Sequence, residues 1–273
     1  MHQGQQRLKN ATAEARKGYG KKFSDLFLTA KPLGRQRKFL MSTGNKQKRV
    51  LLVMSSVDEM GISGKHTGTW FTELAAPYYI LTEAGYEVVL ASPDGGEAPI
   101  DWLSMKAPFT TEYTQRFLKD EVALHAAKET RKLRNVDYNT FDAVFVPGGY
   151  GLLWDLAHDS HMIKLIRDFY TSNRPIAMVC HAPAILRDVK LPGGEYLVKG
   201  VNLTGFKNDE DTEIELLKHL LFSLEDELKV RGAKYQSKAN WEPNVVVDGP
   251  LMTGQSPASA PPLAEALAKR LES

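Results

Sequence analysis

Cysteine is nearly absent. Cys180 stands alone among 273 residues, so the chain can form no internal disulfide, and a disulfide-stapled scaffold is excluded. Long apolar runs are also missing: nothing approaches the roughly 20 residues that span a bilayer. The first residues contain no apolar h-region, which argues against a secretory signal. Acidic residues are scarce at the start of the chain. Residues 1–50 hold 13 Lys and Arg against Glu14 and Asp25, a net of +11. The remainder holds 22 basic and 31 acidic residues, a net of −9, which argues against nucleic acid as the main partner of the folded body.

The composition, 42% hydrophobic and 25% charged, is that of a globular protein. Residues 1–48 read as a basic extension without sustained apolar periodicity, and 49–273 as the folded body. The extension is expected to be solvated and disordered. Two other readings are an organelle-targeting segment, with an amphipathic turn around Phe23, Leu26 and Phe27, and sequence upstream of a start at Met41.

Within the body, short apolar runs alternate with amphipathic segments. Strands are predicted at 49–56, 86–93 and 201–206, a strand running into a glycine turn at 141–151, a strand, sharp turn and helix at 175–186, and a hairpin at 245–254 around Asp248-Gly249. Helices are predicted at 71–84, 112–132, 161–172, 210–231 and 261–271. This alternation predicts an α/β domain, its parallel sheet covered on both faces and its ligand site at the carboxyl ends of the strands.

Cys180 follows the apolar run PIAMV and precedes a predicted helix, the strand-to-helix elbow that exposes a nucleophile above a sheet. Amides and a helix N-terminus at such a turn predict a thiol below its ordinary pKa of about 8.5. His181 beside it has the chemistry of a general acid or base that needs an orienting carboxylate. The Gly148-Gly149 turn supplies amides that, with that of His181, could hold an oxyanion. Tyr150 and Trp102 are candidate pocket walls. Glu73, flanked by Phe71, Leu74, Ala75 and Ala76, is a candidate buried carboxyl.

FDAVFVPGGYG (141–151), followed by AMVCHAPAIL (177–186), resembles the ThiJ/PfpI superfamily of class I glutamine amidotransferase-like proteins. TGTWFTELAAPYYIL (67–81), VLASPDGGEAPID (89–101), LTGFKNDED (203–211) and LMTGQSPASAPPLAEAL (251–267) are similar, in order, to its glyoxalase III and stress-chaperone branch. The resemblance covers about residues 49–270. It implies a flavodoxin-like three-layer sandwich with a mostly parallel central sheet. It further implies Cys180 as nucleophile, His181 as its partner and Glu73 as the carboxyl that meets the sulfur. The third member falls five residues after Phe206, at Asp211, with Glu210 beside it. Ala182 stands where the branch often has Gly. Some chaperone-type members bind a metal; here Glu87 occupies the Glu place, but Thr82 stands where a His is expected, so no metal or other cofactor is expected.

The expectation is therefore a glutathione-independent glyoxalase, converting methylglyoxal or glyoxal to lactate or glycolate through a cysteine hemithioacetal. It would act as a cytoplasmic homodimer on a small dicarbonyl, with neither membrane nor nucleic acid as partner. The rival readings are a holdase chaperone or cysteine redox sensor, and a deglycase or cysteine peptidase-like hydrolase. A wide open cleft would favour peptide substrates, and a small closed one dicarbonyls.

Overall fold

The computed structural model describes residues 47–272. The basic extension, but for its last two residues, lies outside them. The main sheet is built from β1 (Arg49–Val53), β2 (Glu87–Ser92), β3 (Arg131–Lys132), β4 (Ala143–Val146), β5 (Ile176–Val179), β8 (Val245–Asp248) and β9 (Leu251–Gly254). Its order is β3-β2-β1-β4-β5-β9-β8, parallel except for the β8–β9 hairpin at one edge. A separate two-stranded ribbon pairs β6 (Asn202–Leu203) with β7 (Lys234–Tyr235).

β1, β4, β5 and β9 are short and mostly apolar, and Val50–Val53 of β1 and all of β4 are buried on both pleat faces, as strands covered from both sides must be. One row of the sheet reads Leu90, Leu52, Phe145, Ala177, Met252 across five strands. The chain moves one way from β1 to β2 through α1 (Phe71–Glu83), and the opposite way from β4 to β5 through α4 (Ser160–Thr171). Right-handed crossovers place helices of opposite travel on opposite faces, giving the three layers. α7 (Ala260–Glu272) packs on α1, β5 and β9. The order reverses between β1 and β4, and the ligand crevice of such sheets opens beside that switch.

Several predicted elements are interrupted. The 112–132 helix is two helices, α2 (Glu112–Phe117) and α3 (Glu121–Lys128), because Asp120 accepts from the Val122 and Ala123 amides and starts a new helix. The 210–231 helix divides into α5 (Asn208–Glu213), a 3-10 turn (Leu217–His219) and α6 (Leu224–Val230). Glu215 in the left-handed region breaks the first, and Ser223 caps the last by accepting from Asp226 N. The 201–206 strand contracts to β6, outside the main sheet. Among the described residues no helix is long and apolar enough to cross a membrane.

Candidate active site

β5 ends at Val179, and the chain turns at Cys180 with φ +62°. A left-handed backbone costs a residue with a Cβ about 1–2 kcal/mol, so the turn persists only where neighbours hold it. They do: Cys180 N donates to Gly254 O at 3.0 Å, and its carbonyl accepts from Phe206 N at 2.9 Å. Cys180 is 3% exposed, and the Gly149 and His181 amides are hydrogen-bonded to its sulfur.

The expected lowering of the thiol is not what this setting favours. Burial pushes the Cys180 thiol well up and the Glu73 carboxyl adds to the rise, while the two amides pull down. The expected α-helix behind the cysteine is a seven-residue 3-10 run, Ala182–Asp188, with Pro183 in its first turn. Its amide array is a weaker anion site than an α-helix N-terminus.

Glu73 lies in the first turn of α1 and is fully buried. Gly148 N donates to its Oε2 at 2.7 Å, while Oε1 is enclosed without a partner. Burial lifts its pKa to about 8 against the pull of the Gly148 amide and the Cys180 side chain. At neutral pH it is an uncharged acid beside the thiol, so the largest charge opposing a thiolate is removed.

Engagement of the Gly148 amide with Glu73 changes the expected oxyanion pair. The amide of Gly148 is occupied, and that of Gly149 remains beside the sulfur. Gly148 cannot carry a side chain: a Cβ would lie 2.7 Å from Cys180 Cβ and 2.9 Å from Glu73 Oε2.

His181 is fully buried, and its ring packs against those of Tyr150 and Phe206 at centroid distances of 4.3 and 4.7 Å. Nδ1 lies 3.4 Å from Cys180 Sγ, and Nε2 lies 3.3 Å from Asp211. Tyr150 donates its hydroxyl proton to Asp211 Oδ1 at 2.7 Å. A carboxylate only accepts, so Nε2 carries the imidazole proton and Nδ1 is free to take one from the thiol. Glu210 turns elsewhere, accepting from the amides of Trp241 and Lys207 and from Gln255 Nε2. Asp211, not Glu210, meets the imidazole.

A cleft of about 340 Å³, counting its open mouth, leads to the sulfur. Cys180, Gly149 and Tyr150 line it; Trp70, Phe109, Phe206 and Trp241 are its aromatic walls. Glu73 and His181 are not among the lining residues, and both adjoin the sulfur. Trp102, expected as a wall, is not one: it precedes the 3-10 turn Leu103–Met105 and stacks under Lys106 Nζ at 4.0 Å. Sequence reasoning missed Trp70 and Trp241. Trp70 lies inside TGTWFTELAAPYYIL (67–81), and Trp241 is a lone aromatic in the polar stretch KANWEPN, where no periodicity marks it. Among the described residues no group of three or more His, Cys, Asp or Glu is placed to hold a metal ion. Glu87 is ion-paired with Arg49 at 3.0 Å.

The DJ-1/PfpI family profile matches residues 67–270. The glutathione-independent glyoxalase hsp3101 of Schizosaccharomyces pombe is 32% identical over 232 residues, 81% of this chain and 95% of that protein. Glyoxalase 3 of Candida albicans is 31% identical over 226 residues, 80% of this chain and 95% of the relative. Among solved structures, the rapid encystment protein of 24 kDa from Francisella tularensis superposes with TM-score 0.79 at 35% identity, covering 82% of this chain and 99% of that one. The crystal structure of glyoxalase III from Candida albicans gives TM-score 0.75 at 28% identity, covering 81% and 96%.

Proposed function

The chain belongs to the DJ-1/PfpI family, and on that premise we propose that it is a glutathione-independent glyoxalase, with Cys180 as nucleophile. The observation that carries the reading is the single thiol at the floor of a small apolar cleft, backed by an uncharged carboxyl on one side and an oriented imidazole on the other. The likeness to relatives named glyoxalases supports it.

The aldehyde carbon of a 2-oxoaldehyde meets Sγ while His181 Nδ1 takes the thiol proton. The carbonyl electron pair moves onto oxygen, next to the Gly149 and His181 amides, and protonation gives a hemithioacetal. Loss of the proton on C1 gives an enediol, and delivery of a proton to C2 gives the thioester of the 2-hydroxy acid. His181 and Glu73 flank the sulfur to which the substrate is now bonded, and they move these protons. Water then cleaves the thioester, returning the thiol and releasing lactate from methylglyoxal or glycolate from glyoxal. The net change adds one water and needs no redox partner.

Asp211 acts through His181, holding its tautomer, and Tyr150 holds Asp211. The size and apolar walls of the cleft favour a small dicarbonyl over a peptide. The reading extends to a homodimer, as the family resemblance implies, and to the cytoplasm, where a lone cysteine stays reduced. It takes residues 1–48 as an appendage to the catalytic body. The test is lactate formation from methylglyoxal without glutathione, wild type against Cys180→Ser. A wild-type protein that forms no lactate, or a serine variant that forms it equally well, refutes the reading.

A further inference from the structure

The two tryptophan walls of the cleft are built differently. Trp70 is 7% exposed, stands at the head of α1, and packs edge-on against Phe109 at 5.1 Å. Trp241 is half-buried in the loop between β7 and β8, and its backbone is left-handed, φ +67°. A bulky residue adopts that conformation only when its surroundings over-determine it.

Two carboxylates of α5 do so. Trp241 N donates to Glu210 Oε1 at 2.8 Å. Its indole Nε1 donates to Glu213 Oε2 at 3.1 Å, and the preceding Asn240 Nδ2 donates to the same oxygen at 3.0 Å. Glu210 is fully buried, and both Gln255 Nε2 and Lys207 N donate to it at 3.2 Å. The indole so fixed stands 5.6 Å from the Phe206 ring, which in turn lies on His181. None of the residues lining the cleft is charged, so an acidic or phosphorylated tail meets no cation there.

We propose that Trp241 is the specificity-determining wall of the cleft, admitting 2-oxoaldehydes with a short uncharged tail and excluding aryl and branched ones. The substrate class rests on the glyoxalase reading; the size limit on access to the thiol does not.

Two measurements therefore test it on the full chain. The first is the kcat/KM ratio of phenylglyoxal to methylglyoxal without glutathione. The second is the ratio of Cys180 alkylation rates by N-benzyliodoacetamide and iodoacetamide; both reagents attack the same thiolate, so any change in its pKa cancels. Trp241→Ala is expected to raise both ratios about tenfold or more, the scale on which a few methylenes discriminate in a pocket. Glu213→Ala frees the indole nitrogen but leaves the Glu210 clamp, and should raise both ratios less. Unchanged ratios in variants that melt cooperatively overturn the proposal. If Trp241→Ala does not fold, Glu213→Ala and Trp241→Phe decide, and wild-type ratios in both refute it. If the wild type turns over neither aldehyde, the glyoxalase reading fails while the alkylation ratio still decides whether Trp241 limits access.

Discussion

Replacing Glu73 by Gln is expected to make the protein more stable at alkaline pH and nearly inactive. Burial lifts the Glu73 pKa from 4.5 to about 8 in the folded protein. Between those values the folded state holds a proton that the unfolded state has lost, so stability falls as pH rises through this window. The penalty is absent below about pH 4.5 and complete above about pH 8. At about 1.4 kcal/mol per pKa unit the shift sets a ceiling of about 5 kcal/mol, and relaxation around a buried charge lowers it, so we expect about 2–4 kcal/mol. Gln cannot ionise, and its carbonyl can still accept from Gly148 N. Its amide protons sit where Oε1 has no partner, a cost that does not vary with pH. The stability of Glu73→Gln minus wild type should therefore rise by that amount from pH 4.5 to 8.5, about 2–4 °C in melting temperature per kcal/mol for a domain of this size. A Cys180→Ser background keeps the thiol out of the titration, and Asp101 and Asp155, also lifted to about 6, are common to both proteins. Urea unfolding at a series of pH values measures the difference. In the Cys180 protein the same variant should lose about 10²–10⁴-fold in glyoxalase turnover, the scale of a lost general acid–base. A stability difference that does not change with pH would show that Glu73 ionises normally, and the uncharged-acid role would fall.

Asp211→Asn leaves one carbonyl oxygen to receive two buried donors, His181 Nε2 and Tyr150 OH. It should cost about 1–3 kcal/mol of stability while reducing turnover less than Glu73→Gln, as denaturation and steady-state kinetics will show. If Asp211→Asn is the more damaged enzyme, His181 is the principal base. Gly149→Ala should destabilise by about 3 kcal/mol or more in urea unfolding, because its left-handed backbone and a Cβ crowding the neighbouring chain add strain to overpacking. The backbone φ there is +108° and a Cβ would lie 2.1 Å from Gly68 O, so a variant that melts like the wild type would contradict this geometry. Removing residues 1–40 should leave melting temperature and turnover unchanged, since Gln47 and Lys48, which bond to Gly85 O and Leu271 O, are kept. A large loss of stability would mean that the extension docks on the body.

The strands were legible because a strand buried on both faces is written as a short continuous apolar run, and β1, β4 and β5 are such runs. The helix breaks were not. Apolar spacing continues across Glu215 and Ser223, where a left-handed residue and a hydroxyl cap decide the backbone locally. The elbow at Cys180 could be read from an apolar run stopping at Cys-His, and Glu73 from its apolar flanks. Asp211 could not be separated from Glu210 by charge pattern; only the imidazole contact distinguishes them. The thiol's environment departs from the expectation because a 3-10 run rather than an α-helix follows it, and sequence does not report how deeply the sulfur is enclosed. Trp241 came from a loop, where its indole follows a tertiary hydrogen bond to Glu213 rather than any period.

The hydrogen bond from Cys180 N to Gly254 O sets an order of events during synthesis. β5 pairs with β4 on one side and with β9 on the other, and β9 follows the elbow in the chain. Until β9 pairs, the cysteine lacks the strand that holds its left-handed turn, and it is expected to react as an ordinary thiol. Maturation of the nucleophile thus waits for β9. Chains stalled before residue 251 should alkylate at Cys180 at the rate of a free peptide thiol, whereas the released protein alkylates at its own distinct rate. Pulse alkylation of stalled chains reads the difference, and equal rates before and after release would contradict this order.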